Sequence, residues 1–236
     1  INEIMYHPAA PPGAVESEWI ELLNAGAEPV DLTGWRFTRG IDYALPPGTI
    51  VPAGHYLVVA RDPARVQSDY GITGVIGGYA SGLKNGDERI VLRDHLGNVA
   101  DEVHYADDGE WPKAADGTGP SLELVNPGYD KRSGQAWAAG AGAGTPGAAN
   151  SAFSADAKPL IRAARHRPAV PTSRDVVTIA CEVTCPTAAV DAVELAWRID
   201  GAAEFTVVPM FDDGLHGDGA ALDGVYAAQI GPFPHG

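Results

Sequence analysis

Apolar and polar residues alternate in short runs along most of this chain. In Trp19-Ile20-Glu21-Leu22-Leu23, Ile20 and Leu22 fall on one face of an extended strand and Trp19, Glu21 and Leu23 on the other. In Val30-Asp31-Leu32-Thr33-Gly34-Trp35-Arg36-Phe37, Trp35 and Phe37 share a face and Arg36 points away. The spacer Ala25-Gly26-Ala27-Glu28-Pro29 has a length and composition that join antiparallel strands, so the pattern predicts a hairpin. An isolated hairpin carrying such large side chains is marginal in water, and a second sheet is expected over it, with Trp35 and Phe37 as the chief anchors.

Further strands are expected over Ile1–Tyr6, Tyr56–Ala60, Glu88–Asp94, Val99–Tyr105 and Ser121–Val125, with loops at Pro8–Gly13 and Arg39–Gly48. Leu96-Gly97-Asn98 turns the fourth of these runs back on the third as a hairpin. One exception is Asp62-Pro63-Ala64-Arg65-Val66, where Asp at the cap and Pro in the first turn predict a short helix ending near Gly71. Strands at this spacing, without helical patterns between them, indicate a sandwich or barrel.

Several of these runs resemble the lamin-tail family in its bacterial form. The resemblance lies in Ile1-Asn2-Glu3-Ile4-Met5-Tyr6, Glu18-Trp19-Ile20-Glu21-Leu22, Val30-Asp31-Leu32-Thr33-Gly34-Trp35, Gly54-His55-Tyr56-Leu57-Val58-Val59-Ala60 and the closing Gly144-Thr145-Pro146-Gly147-Ala148-Ala149-Asn150. It implies an immunoglobulin-like β-sandwich of lamin-tail type over residues 1–150, without catalytic residues, used as a binding or tethering module. An Ala/Gly/Thr/Pro-rich stretch then leads into a linker at 151–159.

Beyond it, Leu160–Arg165, Asp175–Thr184, Val190–Ile199, Glu204–Met210 and Gly224–Ile230 read as strands of a second sandwich of immunoglobulin or fibronectin-III type over 160–236. About five strands against the usual seven mark it as incomplete. Met210 to Asp218, continuing through Asp223 to Tyr226, is similar to a segment of immunoglobulin-like domains that follow lamin-tail domains in bacterial surface proteins, whose neighbours include spore-coat kinase-like domains. The whole is therefore expected to be all-β, extracytoplasmic, and part of a larger surface protein whose partner is a protein or a polysaccharide.

Charge narrows the partners. A net −15 with only four lysines repels polyanions over most of the surface, which argues against nucleic acid. No apolar run reaches the length of a membrane span. Cys181 and Cys185, four apart in an extended run, lie about 13 Å from one another, too far to bridge unless the chain turns at Val183-Thr184; free thiols are the simpler expectation.

Motifs for chemistry are sparse. Gly142-Ala143-Gly144-Thr145-Pro146-Gly147 fits G-x-G-x-x-G by letter, yet it follows no clear strand and opens no helix, so the geometry that cradles a phosphate is missing. Seven histidines are scattered without metal-binding spacing. Asp107, Asp108 and Glu110 beside Trp111 form the acidic group a hydrolase would need, with a solvated turn as the rival reading. The cluster Asp212, Asp213, Asp218 and Asp223, interrupted by glycines, is the candidate calcium loop: hard oxygen donors lie on a flexible segment, although the EF-hand order and its final glutamate are absent. Its rival is a calcium-free turn.

Overall fold

The computed structural model describes residues 1–9 and 17–233, so most of the loop expected at Pro8–Gly13 lies outside the described residues. The fold divides into two compact units, Ile1–Ala155 and Asp156–Gly236. The strands of the first unit are β1 (Glu3–Met5), β2 (Trp19–Leu23), β3 (Val30–Asp31), β4 (Arg36–Arg39), β5 (Tyr43–Ala44), β6 (Ile50–Val51), β7 (Tyr56–Ala60), β8 (Ile76–Gly77), β9 (Glu88–Arg93), β10 (Val99–Tyr105), β11 (Leu122–Leu124) and β12 (Trp137–Ala139), with one helix, α1 (Pro63–Tyr70), between β7 and β8. Asp62 caps that helix by accepting the Arg65 N–H, and Gly71 ends it in the left-handed region, as the sequence predicts.

Two main sheets make the first unit, ordered β12-β11-β1-β2-β7-β8 and β10-β9-β4-β5, with β3 and β6 paired separately. The architecture is an immunoglobulin-like β-sandwich, antiparallel except for the β7–β8 pair. β9 and β10 form the expected hairpin, its turn fixed by Asp94 Oδ1, which accepts the Leu96 and Asn98 amides.

The hairpin expected between β2 and the run through Trp35 does not form. β2 pairs with β1 and β7, β3 pairs with β6, and β4 lies in the other sheet beside β9 and β5. Asn24 accounts for the crossing. Its side-chain amide donates to the Glu28 and Val51 carbonyls and its Oδ1 accepts the Gly26 amide, so the spacer folds on that side chain instead of on a turn linking the two strands. The anchoring residues change accordingly. Trp19 and Phe37 are fully buried, whereas Trp35 is half-buried.

The six-stranded sheet is covered on both faces. One face carries Ile4, Ile20, Val59 and Leu122, all buried. On the other, Met5, Trp19, Val58 and Ala60 pack with Val66 of α1 and Val75, and Tyr70 meets the Trp19 ring edge-on at 5.9 Å. The same second face carries Glu3, Glu21 and Glu123.

The second unit contains β13 (Leu160–Arg167), β14 (Val177–Thr184), β15 (Val193–Trp197), β16 (Thr206–Met210) and β17 (Val225–Ile230), one for each run read from the sequence. β13-β14-β17 form one sheet and β15-β16 another, linked by a bridge from Phe211 to Ala227. Cys181, Val183, Val193, Met210 and Ala228 make its core. Cys181 and Cys185 are both free thiols; Cys185 Sγ donates to the Ala157 carbonyl at 3.2 Å.

Candidate functional site

The four aspartates of the candidate calcium loop do meet in one loop, but their oxygens are turned to the loop itself. Asp212 accepts the Asp223 and Gly224 amides, and Asp213 accepts Leu215 N–H and the His216 ring. Asp223 takes the Ala220 and Val225 amides, and Asp218 Oδ2 takes that of Gly214. The His216 hydrogen bond and the Leu215 amide hold the Asp213 carboxyl below its usual range. Asp218 is buried and its Oδ1 has no hydrogen-bond partner among the described residues. Among the described residues no three His, Cys, Asp or Glu side chains are placed to hold a metal ion.

The acidic loop before Trp111 is spread in a similar way. Asp107 is half-buried, Asp108 and Glu110 are exposed, Glu110 accepts the Gln135 side-chain amide at 3.2 Å, and the turn closes through Trp111 N–H to the Asp108 carbonyl.

A denser constellation lies on the helix-side face of the six-stranded sheet. The register places Glu3 opposite both Glu123 and Glu21, so three carboxyl groups stand in one row across β11, β1 and β2, about 4.8 Å from strand to strand. All three side chains are fully buried. Among the described residues no Lys, Arg or His pairs with any of them. Their partners come from the sheet and from the segment 140–152. Glu3 accepts the Ser121 hydroxyl at 2.5 Å, the Thr145 amide at 2.8 Å and the Thr145 hydroxyl. Glu21 accepts the Gly147 amide at 2.6 Å and the Asn2 side chain at 2.9 Å. Glu123 accepts Thr145 and Ser151 hydroxyls and the Ala152 amide.

The G-x-G-x-x-G lettering acquires its meaning here. Its backbone N–H groups do donate to acidic groups, but these are the protein's own carboxyl groups: Thr145 N–H to Glu3 and Gly147 N–H to Glu21. Gly144 lies at φ +97, and a Cβ there would sit 2.6 Å from Glu3 Oε1 and 2.7 Å from Ser121 Oγ; one at Gly140 would collide with the Glu123 carboxyl. Asn150 closes the segment by donating to the Asn2 and Leu124 carbonyls and accepting from the Asn2 side chain. Ser151, Ala152 and Ser154 are thereby tied to the first unit, which leaves less chain between the units than the linker expected at 151–159.

Burial dominates the electrostatics of Glu3 and Glu21. It pushes Glu3 up to about 7 against the opposing pull of the Ser121 hydroxyl and the Thr145 amide, and Glu21 up to about 8 against the Gly147 amide and Asn2. A fourth buried acid, Glu18, is likewise turned inward, accepting the Leu83 amide at 2.7 Å and Arg61 at 3.2 Å.

One concave feature of this unit, among several, is a largely apolar cavity of about 200 Å³ whose lining includes Leu22, Val30, Leu32, Trp35 and Val51. That is below the size of a typical small-molecule site and fits a single inserted side chain. The notch follows from Trp35 standing at the edge of the sandwich instead of in its core.

Fold and site together define an immunoglobulin-like sandwich whose buried acids serve the fold. Comparison with protein families gives the finer class: residues 1–107 match the family model of the Lamin Tail Domain, and a further β-rich region follows. No curated protein matches the chain.

Proposed function

We propose that the chain is a non-catalytic binding or tethering segment of a larger bacterial cell-surface or otherwise extracytoplasmic protein, its second unit serving as the immunoglobulin-like companion of the lamin tail domain. The observation that carries this reading is where the buried acids of the first unit spend their hydrogen bonds. Glu3, Glu18, Glu21 and Glu123 bond to strands and loops of their own fold. Among the concave surfaces of that unit is an apolar notch at Trp35, suited to holding a partner by an inserted side chain. The acidic balance directs that partner away from polyanions and toward protein or neutral polysaccharide.

The test is co-sedimentation of the whole chain with two probes, purified bacterial cell-wall polysaccharide and a bacterial surface-protein preparation, with release of soluble fragments followed in parallel. Retention on one probe, lowered at least tenfold by Trp35→Asp and without fragment release, is the expected result. Steady release of fragments would make the chain a hydrolase, and no retention on either probe would make it a spacer.

A further inference from the structure

The segment 140–152 differs from the other elements over the buried row. It contains no charged residue, four of its positions are glycine, and it forms no helix or strand beyond Gly140. Ala141, Gly142, Ala143, Gly147, Ala148 and Ala149 are exposed, while Pro146 and Asn150 are buried. It is a lid one chain thick, attached mainly through hydrogen bonds to the three carboxyl groups and through Asn150. Raising it would uncover little apolar surface, which is the mark of a low-cost local opening.

We infer that this segment is a proton-controlled latch, closed over the row while Glu3 and Glu21 keep their protons and lifted from it when they ionise. The argument is one of charge and hydration. Ionising the row in the closed state puts like charges on adjacent strands out of reach of water, and the latch supplies only neutral donors to meet them. Among the described residues the groups facing the row supply no paired cation either. From the sheet these are Ser121 and Asn2; from the latch, Thr145, Asn150 and Ser151; from α1 and β7, the phenols of Tyr70 and Tyr56; the Ile1 amino group lies nearby and is bonded to Asp101. Opening admits water and lets the carboxyl groups return toward their ordinary behaviour. Since closure raises their proton affinity, it is fully favoured below about pH 4.5 and is lost as pH rises through the values of the closed state, about 7 for Glu3 and 8 for Glu21. Each carboxyl released adds up to about tenfold to the open fraction per pH unit.

The experiment is amide hydrogen exchange on the whole chain between pH 5 and 9, each rate divided by the intrinsic rate at that pH. Protection of the Thr145 and Gly147 amides is expected to fall at least about a hundredfold from pH 5 to 8 and to level off above. Amides of the β2–β7 ladder should stay protected throughout. The double variant Glu3→Gln/Glu21→Gln should show a flat profile. Protection at Thr145 and Gly147 that is constant within threefold would overturn the inference, as would an equal loss across β2 and β7. If the double variant does not fold, carboxyl-carbon chemical shifts of Glu3 and Glu21 in the unaltered chain decide. They must titrate in step with the two amides, and titration near pH 4–5 would end the proposal.

Discussion

Trp19, in β2, and Trp35, just before β4 of the other sheet, carry the same side chain and differ in what surrounds them. Trp19 is enclosed by Met5, Val58, Ala60 and Val66, so Trp19→Ala is expected to cost about 3–5 kcal/mol in denaturant unfolding of the first unit. Trp35→Ala, at the rim of an open notch, should cost roughly half of that or less. The glycines of the latch permit a similar contrast. Gly142 lies at φ +64 with open space where a Cβ would point, so Gly142→Ala should carry only the backbone cost of about 1–2 kcal/mol. Gly144→Ala adds a collision with Glu3 and Ser121 to a comparable backbone cost, and its unfolding midpoint should fall clearly below that of Gly142→Ala. Equal midpoints would show that the latch does not sit as tightly on the row as the distances require.

At the level of elements, Asn150 stands for the difference between local and distant information. Its three hydrogen bonds join the latch to β1 and β11, so Asn150→Ala is expected to destabilise the first unit by about 1–3 kcal/mol, read from thermal unfolding, and to raise exchange at Thr145. Elements whose signals are local were legible in the sequence: the Asp62-Pro63 helix start, the β9–β10 hairpin with its Leu96-Gly97-Asn98 turn, and the runs of the second unit. Which strands pair was not, since the spacer at Ala25–Pro29 looks the same whether it turns a hairpin or crosses between sheets, and only Asn24 reaching Val51 decides it. The carboxylate row was missed for a related reason. Glu3, Glu21 and Glu123 meet only through strand register, yet each left a trace, a single acid set among apolar residues in Glu3-Ile4-Met5, Trp19-Ile20-Glu21-Leu22 and Leu122-Glu123-Leu124. An acid sharing a strand face with a buried tryptophan, as Glu21 does with Trp19, is the readable sign that both faces of that strand are covered.

For the molecule as a whole, the family match ends at residue 107 while the first compact unit runs to Ala155. The sheet needs β11 and β12, and the buried row needs the latch. A fragment ending at residue 107 is therefore expected to lack cooperative unfolding, whereas one ending at 155 should unfold in a single transition near that of the first unit in the whole chain; circular dichroism on the two fragments distinguishes them. Cooperative unfolding of the shorter piece would mean that Glu3 and Glu21 tolerate exposure better than their closed environment indicates.

The bond from Thr145 to Glu3 spans 142 positions of chain. At the usual pace of synthesis, about 5–20 residues per second, roughly 7–30 s separate the appearance of Glu3 from that of the Thr145 amide that donates to it. Throughout that interval β1 and β2 carry acids that neutral pH keeps ionised and hydrated, so those strands stay wet and unsealed. The sandwich can close only after the last of its partners has been made, and the timetable of its assembly is thus written in the positions of three glutamates.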